Sequence, residues 1–151
     1  MKRFFDTSVL IPALYKFHIH HAPSARIFLE ASRENSFCAL RTLGEVYAVL
    51  TGLPVRPRIT RCKSWKHIGP DGMAIVQQIL DRLTVIALTE QEYVSALRNV
   101  SATIVGGAAY DALIAHCAVK SGTDVLLTWN TRDFIRFGPD IARLVKTPLE
   151  V

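Results

Sequence analysis

The chain has 151 residues, half of them hydrophobic, and carries 18 Lys and Arg against 13 Asp and Glu, a net charge of +5. That length suits one domain burying roughly 70% of its unfolded surface, which excludes a disordered tail and leaves too little for two domains. The longest stretch without a charged residue, 99–110, has 12 residues and two glycines, against the ~20 apolar residues that cross a bilayer, so no transmembrane helix is expected.

Residues 2–6 form a short aromatic run ending in Asp6 and read as a strand, with Thr7 and Ser8 capping an apolar helix over 9–17. A second helix is expected within 22–35 and a second strand over 36–41. Thr42 then caps a helix reaching about Thr51. Residues 52–70 hold three of the seven prolines, at 54, 57 and 70, and read as loop with a short helix in it. An amphipathic helix over 71–83, a β-rich run over 84–88 and a Thr-Glu-Gln-Glu helix start at Thr89 follow. Residues 107–120 make a strongly apolar helix and 124–128 another buried strand. Strands alternating with helices predict an α/β domain with a parallel sheet, whose ligand site lies at the carboxyl ends of the strands.

Four acids fall in informative places. Asp6 ends the first strand, where side chains enter the crevice of a parallel sheet, although Asp before an apolar run also serves as a helix cap. Glu45 lies off the apolar stripe Leu43, Val46, Tyr47 and Leu50, with Thr42, Ala48, Val49 and Gly52 as its mostly small neighbours. Taken alone it reads first as an ordinary solvent-facing Glu. Asp111 sits on a helix apolar around most of its circumference, beside Ala108, Ala115 and Ala118, so its charge needs a cation, from an ion or from a nearby Arg and the helix dipole. Asp133 follows the last strand after a polar turn, and is also placed to pair with Arg132 or Arg136. Together these acids form a hard, oxygen-rich set suited to Mg²⁺ or Mn²⁺. His18, His20 and His21 lack the i, i+4 spacing of a helical zinc pair and read as a solvated helix end.

The positive charge is concentrated. No carboxylate lies between Glu45 and Asp71, whereas Arg56, Arg58, Arg61, Lys63, Lys66 and Trp65 do, which makes that segment the candidate phosphate-facing surface. Its plainer reading is a solvated basic loop. Lys2 and Arg3 begin no signal peptide, since Asp6 follows after two apolar residues and no small-residue cleavage site comes next, so a cytoplasmic protein is expected. Cys38, Cys62 and Cys117 form neither a disulfide framework nor a CxxC pair and read as reduced packing residues.

Phe5-Asp6-Thr7-Ser8, Glu45, Tyr110-Asp111-Ala112-Leu113-Ile114-Ala115 and Thr128-x-Asn130-x-x-Asp133-Phe134, in this order along the chain, resemble the PIN-domain nucleases, and among them the VapC-type toxins of type II toxin-antitoxin systems. The resemblance implies a three-layer α/β/α fold with a central parallel sheet, one nuclease domain over 1–151, and a Mg²⁺ or Mn²⁺ site formed by Asp6, Glu45, Asp111 and Asp133. It further implies endoribonuclease activity on RNA, a homodimer, and an antitoxin partner in a toxin-antitoxin assembly. Thr7 or Ser8, Thr128 and Asn130 would hold the acids in place. The basic Pro-containing segment 54–65 departs from the pattern. Three other readings stay open: an RNA-processing PIN nuclease with no toxin role, metal-free RNA cleavage by Glu45 with His116 or His67 leaving a cyclic phosphate, and a non-catalytic α/β domain that holds nucleic acid through its basic segment.

Overall fold

The computed structural model describes residues 1–52 and 72–151. Five short strands form the sheet: β1 (Arg3–Phe5), β2 (Ser36–Ala39), β3 (Thr84–Ile86), β4 (Val125–Leu127) and β5 (Val145–Lys146). All pairings are parallel, in the order β3-β2-β1-β4-β5. β1 is therefore central. Its two phenylalanines point to opposite faces and both are fully buried, as expected for a parallel sheet covered on both sides.

Eight helices complete the described residues: α1 (Thr7–Leu14), α2 (His21–Leu29), α3 (Leu40–Gly52), α4 (Gly72–Arg82), α5 (Glu90–Val100), α6 (Ala108–Lys120), α7 (Thr131–Ile135) and α8 (Pro139–Ala142). On one face Phe5, Cys38, Val125 and Leu127 pack with Val9, Leu10, Ile27, Val46 and Ile79 of α1 to α4. On the other, Phe4, Ala39 and Leu126 meet Ile114, Ala115 and Ala118 of α6, Phe134 of α7 and Ile141 of α8. The expected three-layer α/β/α architecture is thus present. Each large buried side chain contributes roughly 1.5–3 kcal/mol, so these two cores anchor the strand ends.

The chain fills one half of the sheet with β1 to β3, then crosses to add β4 and β5 on the other side of β1. That reversal lies between β1 and β4, and in open parallel α/β sheets ligands bind beyond the carboxyl ends of the strands at such a point. Register carries it one step further. Phe5 pairs with Leu127, so Asp6 and Thr128 emerge side by side at the switch point.

Several expectations needed correction. β2 ends at Ala39 and α3 begins at Leu40 with no loop between, so Thr42 is not a cap: it lies buried inside the first turns of the helix. α2 stops at Leu29, short of Asn35, whose side chain accepts from the Ser32 hydroxyl in a turn leading to β2. α7, α8 and β5 were not anticipated. The start at Thr89 is as expected: its hydroxyl accepts from the Glu92 N–H at 3.2 Å while Glu92 Oε2 accepts from the Thr89 N–H at 2.7 Å, a capping box. Gly122 terminates α6 with a φ of 62°, a conformation that favours glycine. Among the described residues no helix is long and apolar enough to cross a membrane.

Candidate active site: four acids at the switch point

Asp6 leaves β1 as the N-cap of α1 and is 2% exposed. Its Oδ2 accepts from the Ser8 hydroxyl at 2.6 Å, the Thr128 hydroxyl at 2.8 Å and the Ser8 N–H at 3.3 Å. Those hydroxyls are themselves oriented. Ser8 Oγ accepts from the Trp129 N–H at 2.9 Å and Thr128 Oγ1 from the Asn130 N–H at 3.0 Å, which turns both O–H groups toward Asp6. The backbone after β4 thereby fixes a carboxylate at the end of β1 through two relays. Burial pushes the Asp6 carboxyl above its ordinary value, and the Ser8 and Thr128 hydroxyls, then the Ser8 and Thr7 N–H groups, oppose that rise. The helix-cap reading of Asp6 holds, and the residue stands buried at the carboxyl end of β1.

Glu45 lies half-buried on α3, one turn after Thr42. The Thr7 hydroxyl donates to Glu45 Oε2 at 2.9 Å and stands 3.3 Å from the Thr42 hydroxyl. Thr7 therefore positions Glu45, and Ser8 positions Asp6. Adjacent residues at one helix start serve the two acids.

Asp111 sits half-buried in the first turn of α6, on the side carrying the buried Ala115 and Ala118. Its pKa is raised to about 6, first by burial and then by the charges of Asp6, Asp133 and Glu45, with Arg41 acting in the opposite sense. All three other acids are thus close enough to be felt at Asp111. Asp133, in the first turn of α7, is half-buried and also lies 3.7 Å from Arg136 across an exposed ion pair. The charges of Asp6, Glu45 and Asp133 all raise Asp111, so the four acids share one region of negative charge. Among the described residues, though, no three His, Cys, Asp or Glu side chains are drawn together into a ready-made metal cage.

Of the positions expected to steady the acids, Thr7 and Thr128 do so through their hydroxyls. Asn130 does so through its backbone N–H, and its side chain makes no cap bond to α7. Arg56, Arg58, Arg61, Lys63, Lys66, Trp65 and His67 lie outside the described residues. The histidines are not a solvated helix end. The His20 ring stacks on Trp129 at 4.0 Å and 13°, and His21 Nδ1 lies 2.8 Å from the Pro12 carbonyl. Cys38 and Cys117 are buried free thiols with pKa values pushed up by burial to about 12 and about 11, which suits packing and not nucleophilic chemistry.

Sequence reasoning missed Arg41, whose guanidinium lies 3.4 Å from the centroid of the Tyr110 ring. Arg41 is the second residue after β2, at the same end of the sheet as Asp6, but its ring partner lies far along the chain and no local motif marks it.

The sequence matches the PIN domain over residues 3–138. It is 34% identical over 117 residues to Ribonuclease VapC27 of Mycobacterium tuberculosis, an alignment covering 76% of this chain and 75% of that protein. In fold it is similar to Mycobacterium tuberculosis VapC20, described as a sarcin-ricin loop cleaving toxin, with a TM-score of 0.65 at 15% identity over 87% of this chain and 92% of that one. VapBC2 from Rickettsia felis, bound to a DNA fragment from its promoter, gives a TM-score of 0.59 at 17% identity over 97% and 98% of the two chains. FitAB bound to an IR36 DNA fragment gives 0.65 at 17% identity over 99% and 96%. With the family matched over residues 3–138, which run from β1 through β4 and α7, the chain belongs to the PIN-domain family, and within it is of the VapC type.

Proposed function

We propose that residues 1–151 act as one nuclease domain, a Mg²⁺- or Mn²⁺-dependent endoribonuclease that serves as the toxin of a toxin-antitoxin pair. The observation that carries this reading is that Asp6, Glu45, Asp111 and Asp133 come from four separate elements to one region of the fold, where burial and then the other three charges raise Asp111 to about 6. Such a group favours any cation brought to it. The identity shared with a protein named a ribonuclease supports the choice of reaction.

Asp6, Glu45, Asp111 and Asp133 would hold the ion, and as hard oxygen donors they suit Mg²⁺ or Mn²⁺ better than a soft metal. A divalent ion bound there supplies an acidified water as nucleophile and positive charge against the phosphoryl oxygens of the scissile phosphodiester. The chain's own groups set the geometry. Ser8 and Thr128 donate to the buried Asp6 carboxylate and aim it, and Thr7 donates to Glu45. Arg56, Arg58, Arg61, Lys63 and Lys66 would give RNA a sequence-independent hold through its phosphates. A homodimer and an antitoxin that covers the crevice complete the reading. The structural likeness to VapBC2 and FitAB, both bound to DNA, supports an antitoxin partnership.

The acid-base alternative is less well supported. Glu45 is engaged by Thr7, and His116 lies five residues beyond Asp111 on α6, ~140° around the helix from it.

The test is cleavage of total cellular RNA by the purified protein with Mg²⁺ and with a chelator, followed by mapping of the ends. The expected result is cleavage with Mg²⁺ alone, leaving 5′-phosphate and 3′-hydroxyl ends. Cyclic phosphate ends formed in chelator would instead favour Glu45 with His116 or His67. RNA binding with no cleavage in either condition would leave a binding domain.

A further inference from the structure

We propose that Arg41, laid flat on Tyr110 at the rim of the acid crevice, is a phosphate-binding residue that positions the RNA strand beside the scissile bond. The inference rests on the endoribonuclease reading and adds to it a residue outside the four acids and outside the basic segment 54–66.

Arg41 is the second residue of α3, directly beyond the carboxyl end of β2. β2 neighbours β1, so Arg41 is delivered to the same end of the sheet as Asp6. Tyr110, on the first turn of α6, immediately precedes Asp111. At 3.4 Å from the ring centroid, the guanidinium carbon is in contact with the aromatic face, an arrangement in which a guanidinium keeps donors for an anion.

Two further observations separate this arrangement from a simple counter-ion. Arg41 lies against Tyr110, the residue directly before Asp111, so the cation stands beside the helix turn that carries that acid. Yet among the described residues Arg41 is in none of the ion pairs. It is exposed, as is Tyr110. A cation serving only to quench the acids would lie on one of them. A guanidinium held off them on an aromatic face keeps its donors for an incoming anion, and its fork matches phosphate bidentately. The acids with a divalent ion and Arg41 beside them then offer two adjacent positive sites to one RNA strand.

The experiment measures binding of an unstructured 2′-O-methyl RNA oligomer in EDTA across a range of salt concentrations, with cleavage of the matching RNA in Mg²⁺ as a second readout. Arg41→Ala should weaken binding ~10-fold and lower the salt slope by ~0.7, the value for one phosphate contact on a single strand. It should raise KM for cleavage more than it lowers kcat. Arg41→Lys should keep the slope, and Tyr110→Ala should weaken binding while retaining it. Arg41→Gln replaces the alanine variant if that one does not fold. Wild-type affinity and slope in the Arg41→Ala or Arg41→Gln protein would overturn the proposal. If the wild type cleaves no RNA in Mg²⁺, the endoribonuclease reading falls, and the binding readout still decides whether Arg41 holds phosphate. If the wild type cleaves and the Arg41 variants match it in KM and slope, only the Arg41 proposal falls.

Discussion

Asp6 shows how single residues make the site: a carboxylate that burial disfavours is kept usable by donors aimed at one of its oxygens. Thr128→Val preserves shape but removes both the donor to Asp6 and the acceptor for the Asn130 N–H. Hydrogen bonds to charged groups contribute about 1.5–3 kcal/mol, so this variant should lose about 2 kcal/mol in urea titration and most of its cleavage. Wild-type activity in that variant would remove Thr128 from any role in orienting Asp6. Asp111 predicts a pH dependence whose sign is fixed. In chelator its carboxyl keeps a proton to about pH 6 when folded, but only to about pH 3.8 when unfolded. The folded state therefore binds more protons in that window, and stability falls as pH rises through it. After discounting for solvent around a half-buried group, the effect is roughly 1 kcal/mol. Asp6, raised by burial, acts in the same direction. Asp111→Asn should flatten the profile and be more stable than wild type at pH 7, as read by urea titration at several pH values. A less stable Asp111→Asn protein at pH 7 would contradict this.

At the level of elements, the site depends on how closely α6 lies on the sheet, since that sets where Asp111 stands. Ala118 is fully buried in the core that also holds Phe4, Ala39 and Leu126. Ala118→Leu should cost about 1–3 kcal/mol by overpacking and reduce cleavage by displacing Asp111. Thr89→Ala should cost about 1 kcal/mol by breaking the capping box on α5 and leave cleavage unchanged. Both are read from thermal melts with parallel activity assays, and equal effects of the two on cleavage would argue against α6 as the positioning element. The same elements explain what could be read in advance. Asp6 was legible because a strand that ends in an acid delivers it to a known crevice, and the Thr89 start because a capping box is a local signal. α7 and α8 have five and four residues and β5 has two, too few for any periodicity to emerge, so they form only against the sheet. Thr42 misled for a physical reason: β2 passes directly into α3, and a buried Thr pairing with Thr7 looks in sequence like a cap. Arg41 was hidden because its partner, Tyr110, lies 69 residues away along the chain.

The whole molecule combines a basic chain of net charge +5 with an acidic crevice. In the proposed function that positive charge would draw RNA in at long range, and the four acids, with an ion bound, would receive one phosphate of it. Arg56, Arg58 and Arg61 changed together to Ala should weaken RNA binding and lower the salt slope by roughly 0.7 per lost contact, with metal binding untouched. An unaltered slope would make that segment a solvated loop. Central to the account is that Asp6, Glu45, Asp111 and Asp133 form one divalent-metal site, and calorimetric titration of Mn²⁺ into wild type and into the four single variants Asp6→Asn, Glu45→Gln, Asp111→Asn and Asp133→Asn tests it most directly. The account predicts saturable binding by the wild type, weakened in every variant and most in Asp6→Asn and Asp111→Asn, with each variant still folded. Wild-type protein that takes up no Mn²⁺, or variants that bind it as tightly as wild type, would contradict it.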